Sequence, residues 1–272
     1  MRKFLIFFAF LIFGVSASYK ADALHISPFM VVFDKNNSAT ITLNNRGNQA
    51  KVVTFEWNRR YYTSDDVVDI LPEGQTSPGY NPADPYIQFS PRRAILKPKQ
   101  AQIIRLIVKR PADMAPGEYR SHFTIITDDL VEEKVDAQAN AGGVSGLVSV
   151  NVSTGIPVFI RQGETQAIAD IQSANVVATP QGPGLDVRMS YNGTRSLYTD
   201  LYIECDGDAT QKENYVGSMR LYVERESPQR TFAIRKLDIS QCSNPQLNVM
   251  GVRDLEWGGK LFKQVPINMG TF

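Results

Sequence analysis

Residues 144–161 read V-S-G-L-V-S-V-N-V-S-T-G-I-P-V-F-I-R, and they restrict the architectures open to this protein more than any other stretch. Val148, Val150 and Val152 recur at every second position with the small polar Ser149, Asn151 and Ser153 between them. A period of two belongs to a strand, because successive side chains project to opposite faces. At about 3.3 Å per residue the run extends over roughly 50 Å or more, whereas an ordinary strand has about five or six residues. Such a strand exceeds one small sheet. Either it continues into a linker or its far end is offered to a partner.

The chain has 272 residues, 43% of them apolar, enough for one large or two ordinary globular domains. Its net charge is +1 with cations and acids interspersed, which gives nucleic-acid binding no electrostatic support. The opening M-R-K-F-L-I-F-F-A-F-L-I-F-G-V-S-A has a short cationic start and an apolar core of about a dozen residues, the pattern of a signal peptide. The small residues Ala21 and Ala23 flank Asp22 and place the cut before Leu24, and no later segment is apolar for about 20 residues, so no integral membrane segment is expected afterwards. Two cysteines remain, Cys205 and Cys242. In an oxidising exported compartment they are expected to form one disulfide, worth about 3–4 kcal/mol on the chain-entropy model.

Strand signals then follow in close succession. Residues 24–34, with Pro28 marking an edge or bulge, 38–44 and 52–62 come first, and Trp57 falls in the third of these. Residues 63–85 read as a surface loop. Strands resume at 86–89, 92–96, 102–109 and 118–127, before an acidic, Ala/Gly-rich loop at 128–143. No helix of ten residues is signalled before Arg161, so the first domain is expected to be all-β at sandwich spacing. Gln162 and Gly163 form a hinge, after which seven further short strands indicate a second, smaller β-sandwich or barrel in residues 162–272.

Chemistry-bearing constellations are missing from the sequence. His25 and His122 have no ligand neighbours at metal spacing, Asp206-Gly207-Asp208 lacks the rest of a calcium loop, and no nucleophile elbow or phosphate-binding glycine loop occurs. The expectation is a protein that is not an enzyme and holds no metal or cofactor.

Residues 89–108, F-S-P-R-R-A-I-L-K-P-K-Q-A-Q-I-I-R-L-I-V, carry Leu96, Pro98, Gln102 and Arg105 in an L-x-P-x-x-x-Q-x-x-R arrangement. Together with the signal peptide, two β domains and the alternating strand at the hinge, this resembles the PapD-like periplasmic chaperones of the chaperone-usher pilus pathway. The resemblance spans the mature protein and is loosest in the second domain. It implies two immunoglobulin-like sandwiches in an L or boomerang arrangement, residues 24–161 carrying the lent strand and 162–272 following. It implies a periplasmic chaperone that binds pilus subunits by donor-strand complementation and delivers them to an outer-membrane usher, without nucleotide.

Under that resemblance Val148, Val150 and Val152 fill a groove in the subunit, with Gly146 or Val144 at the entry end. Burying three valines gains roughly 5–9 kcal/mol, beside about 8 kcal/mol for micromolar affinity before association costs, so backbone pairing and a charged anchor are needed as well. Typical members hold the subunit's terminal carboxylate with an Arg on the first strand and a Lys on the seventh. Here alignment puts Met30 and Pro157 at those places, which suggests an archaic-type branch and makes Arg92 and Arg93 the nearest candidate anchors. The exposed strand also offers a surface for self-association. The rival reading is a structural pilus subunit or two-domain secreted adhesin, which would carry its alternating segment at its own mature N-terminus.

Overall fold

The structure is a computed structural model and describes residues 24–62, 68–75, 77–129, 152–205, 214–225, 228–235, 237–252, 255 and 257–270. The expected signal peptide and four expected strand-lending residues, Val144, Gly146, Val148 and Val150, lie outside the described residues. Strands dominate what is described.

In sequence order they are β1 (Leu24–Ser27), β2 (Val31–Phe33), β3 (Ser38–Asn45), β4 (Lys51–Asn58), β5 (Arg60–Tyr62), β6 (Val68–Ile70), β7 (Ile87–Ser90), β8 (Arg93–Leu96), β9 (Ala101–Val108), β10 (Gly117–Asp129) and β11 (Val152–Gln162). Then come β12 (Ala169–Thr179), β13 (Gly182–Tyr191), β14 (Leu197–Glu204), β15 (Tyr215–Leu221), β16 (Gln229–Ala233), β17 (Gln246–Gly251) and β18 (Leu261–Pro266).

Two sheets, β1-β3-β9-β7 and β2-β11-β10-β4-β8, face each other across one core. Period-two patterning explains which side chains enter it. Ile41 and Leu43 of β3, Ile104, Leu106 and Val108 of β9, Phe123 and Ile125 of β10, and Ile156, Val158 and Ile160 of β11 are all buried there. Trp57 packs edge-on against Phe89 and Phe123, with ring centroids 5.9 and 5.1 Å away. A second pair of sheets, β12-β13-β16 and β15-β14-β17-β18, encloses a separate core around Leu185, Val187, Leu201, Ile203, Leu221 and Val249. The protein is thus an all-β molecule of two sandwiches. Cys205 and Cys242 are bonded in the second, their Cα atoms 5.3 Å apart.

Three features depart from the expected strand pattern. The single strand expected at residues 24–34 is two, because Pro28 has no N–H for a ladder, and β1 and β2 join opposite sheets. The expected loop at 63–85 contains β6, which pairs with β5. The first strand expected after the hinge, near residues 167–171, begins at Ala169 and runs on to Thr179 as β12, with a register shift between Ile171 and Ser173.

β10 lies at the centre of its sheet, and its alternate face is polar: Glu118, Arg120, His122 and Thr124 are all buried. Their cover comes from the second sandwich. Glu118 accepts hydrogen bonds from the Ser196 N–H at 2.8 Å and hydroxyl at 2.5 Å, while Arg120 pairs with Glu224. Tyr62 stacks on Tyr222 at 4.3 Å, and Phe159 meets Tyr198 edge-on at 6.2 Å.

Candidate functional site: an open strand edge beside a cationic cleft

β11 pairs with β10 along its whole length, Val152 opposite Thr127 through Gln162 opposite Gly117. Among the described residues its other edge is used only by β2, which runs parallel to it and pairs with Val158, Phe159 and Ile160. Among the described residues nothing pairs with that edge from Val152 to Pro157. An unpaired edge presents a row of N–H and C=O groups ready to accept another strand.

The same stretch changes from buried to exposed. Ile160, Val158 and Ile156 lie on the core face of β11 and are buried, and Val152, on the same face, is 61% exposed. An apolar group in that position is unsupported by its own domain. In sequence the alternation continues back through Val150 and Val148.

The opposite face of β11 turns to the second sandwich. There Gly155, Pro157, Phe159 and Arg161 stand beside Thr124, His122, Arg120 and Glu118 of β10 in register. Met30 and Pro157, the two positions where an anchoring pair was sought, do meet. They line one pocket of about 430 Å³ with Phe29, Tyr198, Val252 and Leu255. Neither can bind a carboxylate.

Cationic groups come from elsewhere. A Cβ on Gly155 would stand 3.1 Å from the Arg60 guanidinium carbon, so glycine lets that arginine lie against β11. Arg220 of β15 lines the same pocket and sits over the Tyr198 ring at 5.3 Å. Among the described residues neither Arg60 nor Arg220 is paired with a carboxylate. Arg120 is, through Glu224. The combined field acts on His122, whose pKa is pushed down to about 3 by burial first and then by Arg120, Arg60 and Arg220, so that the imidazole is neutral. Its Nδ1 is buried and has no hydrogen-bond partner among the described residues. Burial also pushes the Tyr198 hydroxyl up to about 12.

Arg92 and Arg93 do not reach this cleft. Both are exposed, Arg92 over the Phe89 ring at 4.4 Å and Arg93 in β8, paired with Thr54. β8 is the far edge of the sheet, with β4 and β10 between it and β11. Three strand spacings put it roughly 14 Å away. Arg92 and Arg93, the expected anchor candidates, thus stand apart from Arg60 and Arg220, which lie beside β11. Neither carries a local signal in sequence, since they are brought together from opposite sandwiches.

No family model matches this protein, and no curated protein matches it. Among solved structures it is similar to the YadV chaperone at 12% identity and a TM-score of 0.49, over 89% of this protein and 98% of the other. Many of the structural neighbours are chaperones of chaperone-usher pili. Another is from the complex of CsuC with the tip adhesion subunit CsuE of the archaic chaperone-usher Csu pili of Acinetobacter baumannii, at 13% identity, 92% and 100% coverage and a TM-score of 0.45. The class 5 fimbriae chaperone CfaA matches at 12% identity, 92% and 100% coverage and a TM-score of 0.41.

Proposed function

We propose that this protein is a periplasmic chaperone that captures pilus subunits by lending them the free edge of β11 and passes them to an outer-membrane usher. One observation carries the reading. The core-facing row Ile160, Val158, Ile156 runs into the exposed Val152 on a strand whose outer edge has no partner before Val158 among the described residues.

The geometry favours one direction for the bound strand. An incoming strand on this edge ends where β2 begins, at Met30 and Val31. Arg60 and Arg220, free of carboxylates among the described residues, sit at that closed end. They suit a polypeptide C-terminus, whose carboxylate an Arg fork binds with two N–H donors. A strand with its C-terminus there runs parallel to β11. The subunit then receives Val152 and, by the continuing alternation, Val150 and Val148 in place of a missing strand. Release follows when another subunit's segment replaces the lent strand, with no cofactor. The rival reading, a pilus subunit, is disfavoured by β1, which already pairs with β3 within its own sandwich.

The test is periplasmic co-expression with a candidate pilus subunit whose sandwich lacks its last strand. The subunit is expected to co-purify with the wild-type protein and to be lost with Val152→Arg, because a guanidinium would enter an apolar groove. Undiminished co-purification with Val152→Arg would sink the strand-lending reading.

A further inference from the structure

We infer that Arg110 is a positioning residue for capture: its guanidinium pins β2 to β11 and so fixes the point at which the lent edge stops accepting a partner. The inference rests on the strand-lending reading and adds to it a limit on the length of the captured strand.

By its backbone alone β2 is a weak strap. It is the outermost strand of its sheet and only three residues long, and it pairs with β11 in parallel, Val31 opposite Val158 through Phe33 opposite Ile160. Parallel pairs are slightly less stable per residue than antiparallel ones. Val31 and Phe33 are buried, which forbids a slip of one residue because both would turn to the other face. That burial does not tie the end of the strap to its neighbour.

Arg110 provides the tie. Counting on by one residue in each strand brings Asp34 level with Arg161, just past the last backbone pair. There the guanidinium bridges the two chains. Its Nη2 donates to the carbonyls of Phe33 at 3.0 Å and Asp34 at 2.8 Å, and its Nη1 to the Arg161 carbonyl at 2.7 Å and the Gln162 Oε1 at 2.8 Å. The Nε donates to the Asn37 Oδ1 at 3.0 Å, so all five donors of the side chain are engaged. Every acceptor is a neutral oxygen, and a cationic donor makes each bond stronger than a neutral one would. The base of the side chain is itself held: Arg110 follows β9 in the opposite sheet, where the Val108 N–H donates to the Asn37 carbonyl at 2.8 Å.

The strap bears on capture through its place on the edge. A strand bound parallel to β11 along residues 152–157 lies in line with β2 and meets it end to end at Met30 and Val31. While β2 is pinned, a longer strand finds no further edge and has to bend away or displace the strap. Arg161 is four residues beyond Pro157, roughly 13 Å along the strand, so Arg110 acts on the captured strand only through β2.

The experiment uses the full-length protein and a co-expressed pilus subunit that it captures, with either its native C-terminus or Ser-Gly appended to it. The ratio of native to extended subunit retained at matched expression is measured. The wild-type protein is expected to favour the native form on the order of 10-fold, and Arg110→Gln to bring the ratio to about 3-fold or less. In the free Arg110→Gln protein, amide exchange in residues 31–34 is expected to speed up on the order of 10-fold. A loss of stability alone lowers retention of both forms together and leaves the ratio unchanged. Asn37→Ala, at an exposed position, removes one acceptor and should move the ratio in the same direction, which decides the matter should Arg110→Gln fail to fold. Equal retention of both forms by the wild-type protein, or a wild-type ratio in the variants, would overturn this inference while leaving strand lending intact. Failure of the wild-type protein to retain the subunit with its native terminus would overturn both.

Discussion

Replacing Glu224 by alanine probes how the two sandwiches are held together. Glu224 and Arg120 form an ion pair in which both side chains are 4% exposed. Arg120 also donates to the Arg60 carbonyl at 3.0 Å and lies over the rings of Tyr222 and Tyr80 at 4.0 and 5.1 Å. Without the carboxylate, a buried cation would retain one carbonyl and two ring faces. These contacts exist in the wild type as well, so they offset none of the loss. Removing one partner of a buried pair costs about 3–5 kcal/mol, and with a urea slope of about 1–3 kcal/mol per molar the midpoint should fall by on the order of 1 M or more. Trp57 lies in the first sandwich and Trp257 in the second, so fluorescence follows both. A double variant, Arg120→Met with Glu224→Met, should lose less than Glu224→Ala because no charge is stranded. A loss below about 1 kcal/mol, or a double variant worse than the single, would refute the argument.

Three further outcomes follow from the same geometry. The neutral His122 has a native pKa of about 3, below its ordinary 6.5, so the unfolded state binds a proton that the native state rejects between those values. Stability should therefore fall on acidification through that window, by about 2–3 kcal/mol from pH 6.5 to 4.5. His122→Gln should remove that share of the slope in urea midpoints, and an unchanged slope would contradict it. Glu118, whose pKa burial raises, works in the opposite direction, which makes the variant comparison necessary. Replacing Cys205 and Cys242 together by alanine should cost about 3–4 kcal/mol, read at Trp257. In subunit co-purification, Arg60→Gln and Arg220→Gln should each lower the yield on the order of 10-fold through loss of a charge-assisted contact, whereas Arg92→Ala and Arg93→Ala should leave it unchanged.

The strands were legible wherever one face meets a core and the other meets water. Residues 101–108 read as a strand from sequence, and Ile104, Leu106 and Val108 are its buried face. The pattern does not choose between the two faces, because Ile103 and Ile107 on the other face are apolar as well and stay exposed. Pro28 marked an interruption, but the change of sheet that follows depends on where β3 and β11 lie. β12 was read only in part because small and polar residues, such as Ser173, Ala174 and Asn175, blur its alternation around the register shift. Similarly, the polar row of β10 resembles a solvated strand face in sequence and is buried only because the second sandwich covers it. The cleft cations were the hardest to anticipate. Arg92 and Arg93 stood out in a recognisable run but belong to the far edge, whereas Arg60 and Arg220 are separated by 160 positions and converge only through the packing of two domains.

The central claim is that the β11 edge is where a captured subunit binds. Amide hydrogen exchange on the protein alone and in complex with a co-purified pilus subunit measures this directly. Exchange of the outward-facing amides in residues 152–157 should slow markedly in the complex, with the far edge at β8 unaffected. Unchanged exchange across residues 152–157, with protection appearing elsewhere, would contradict the account.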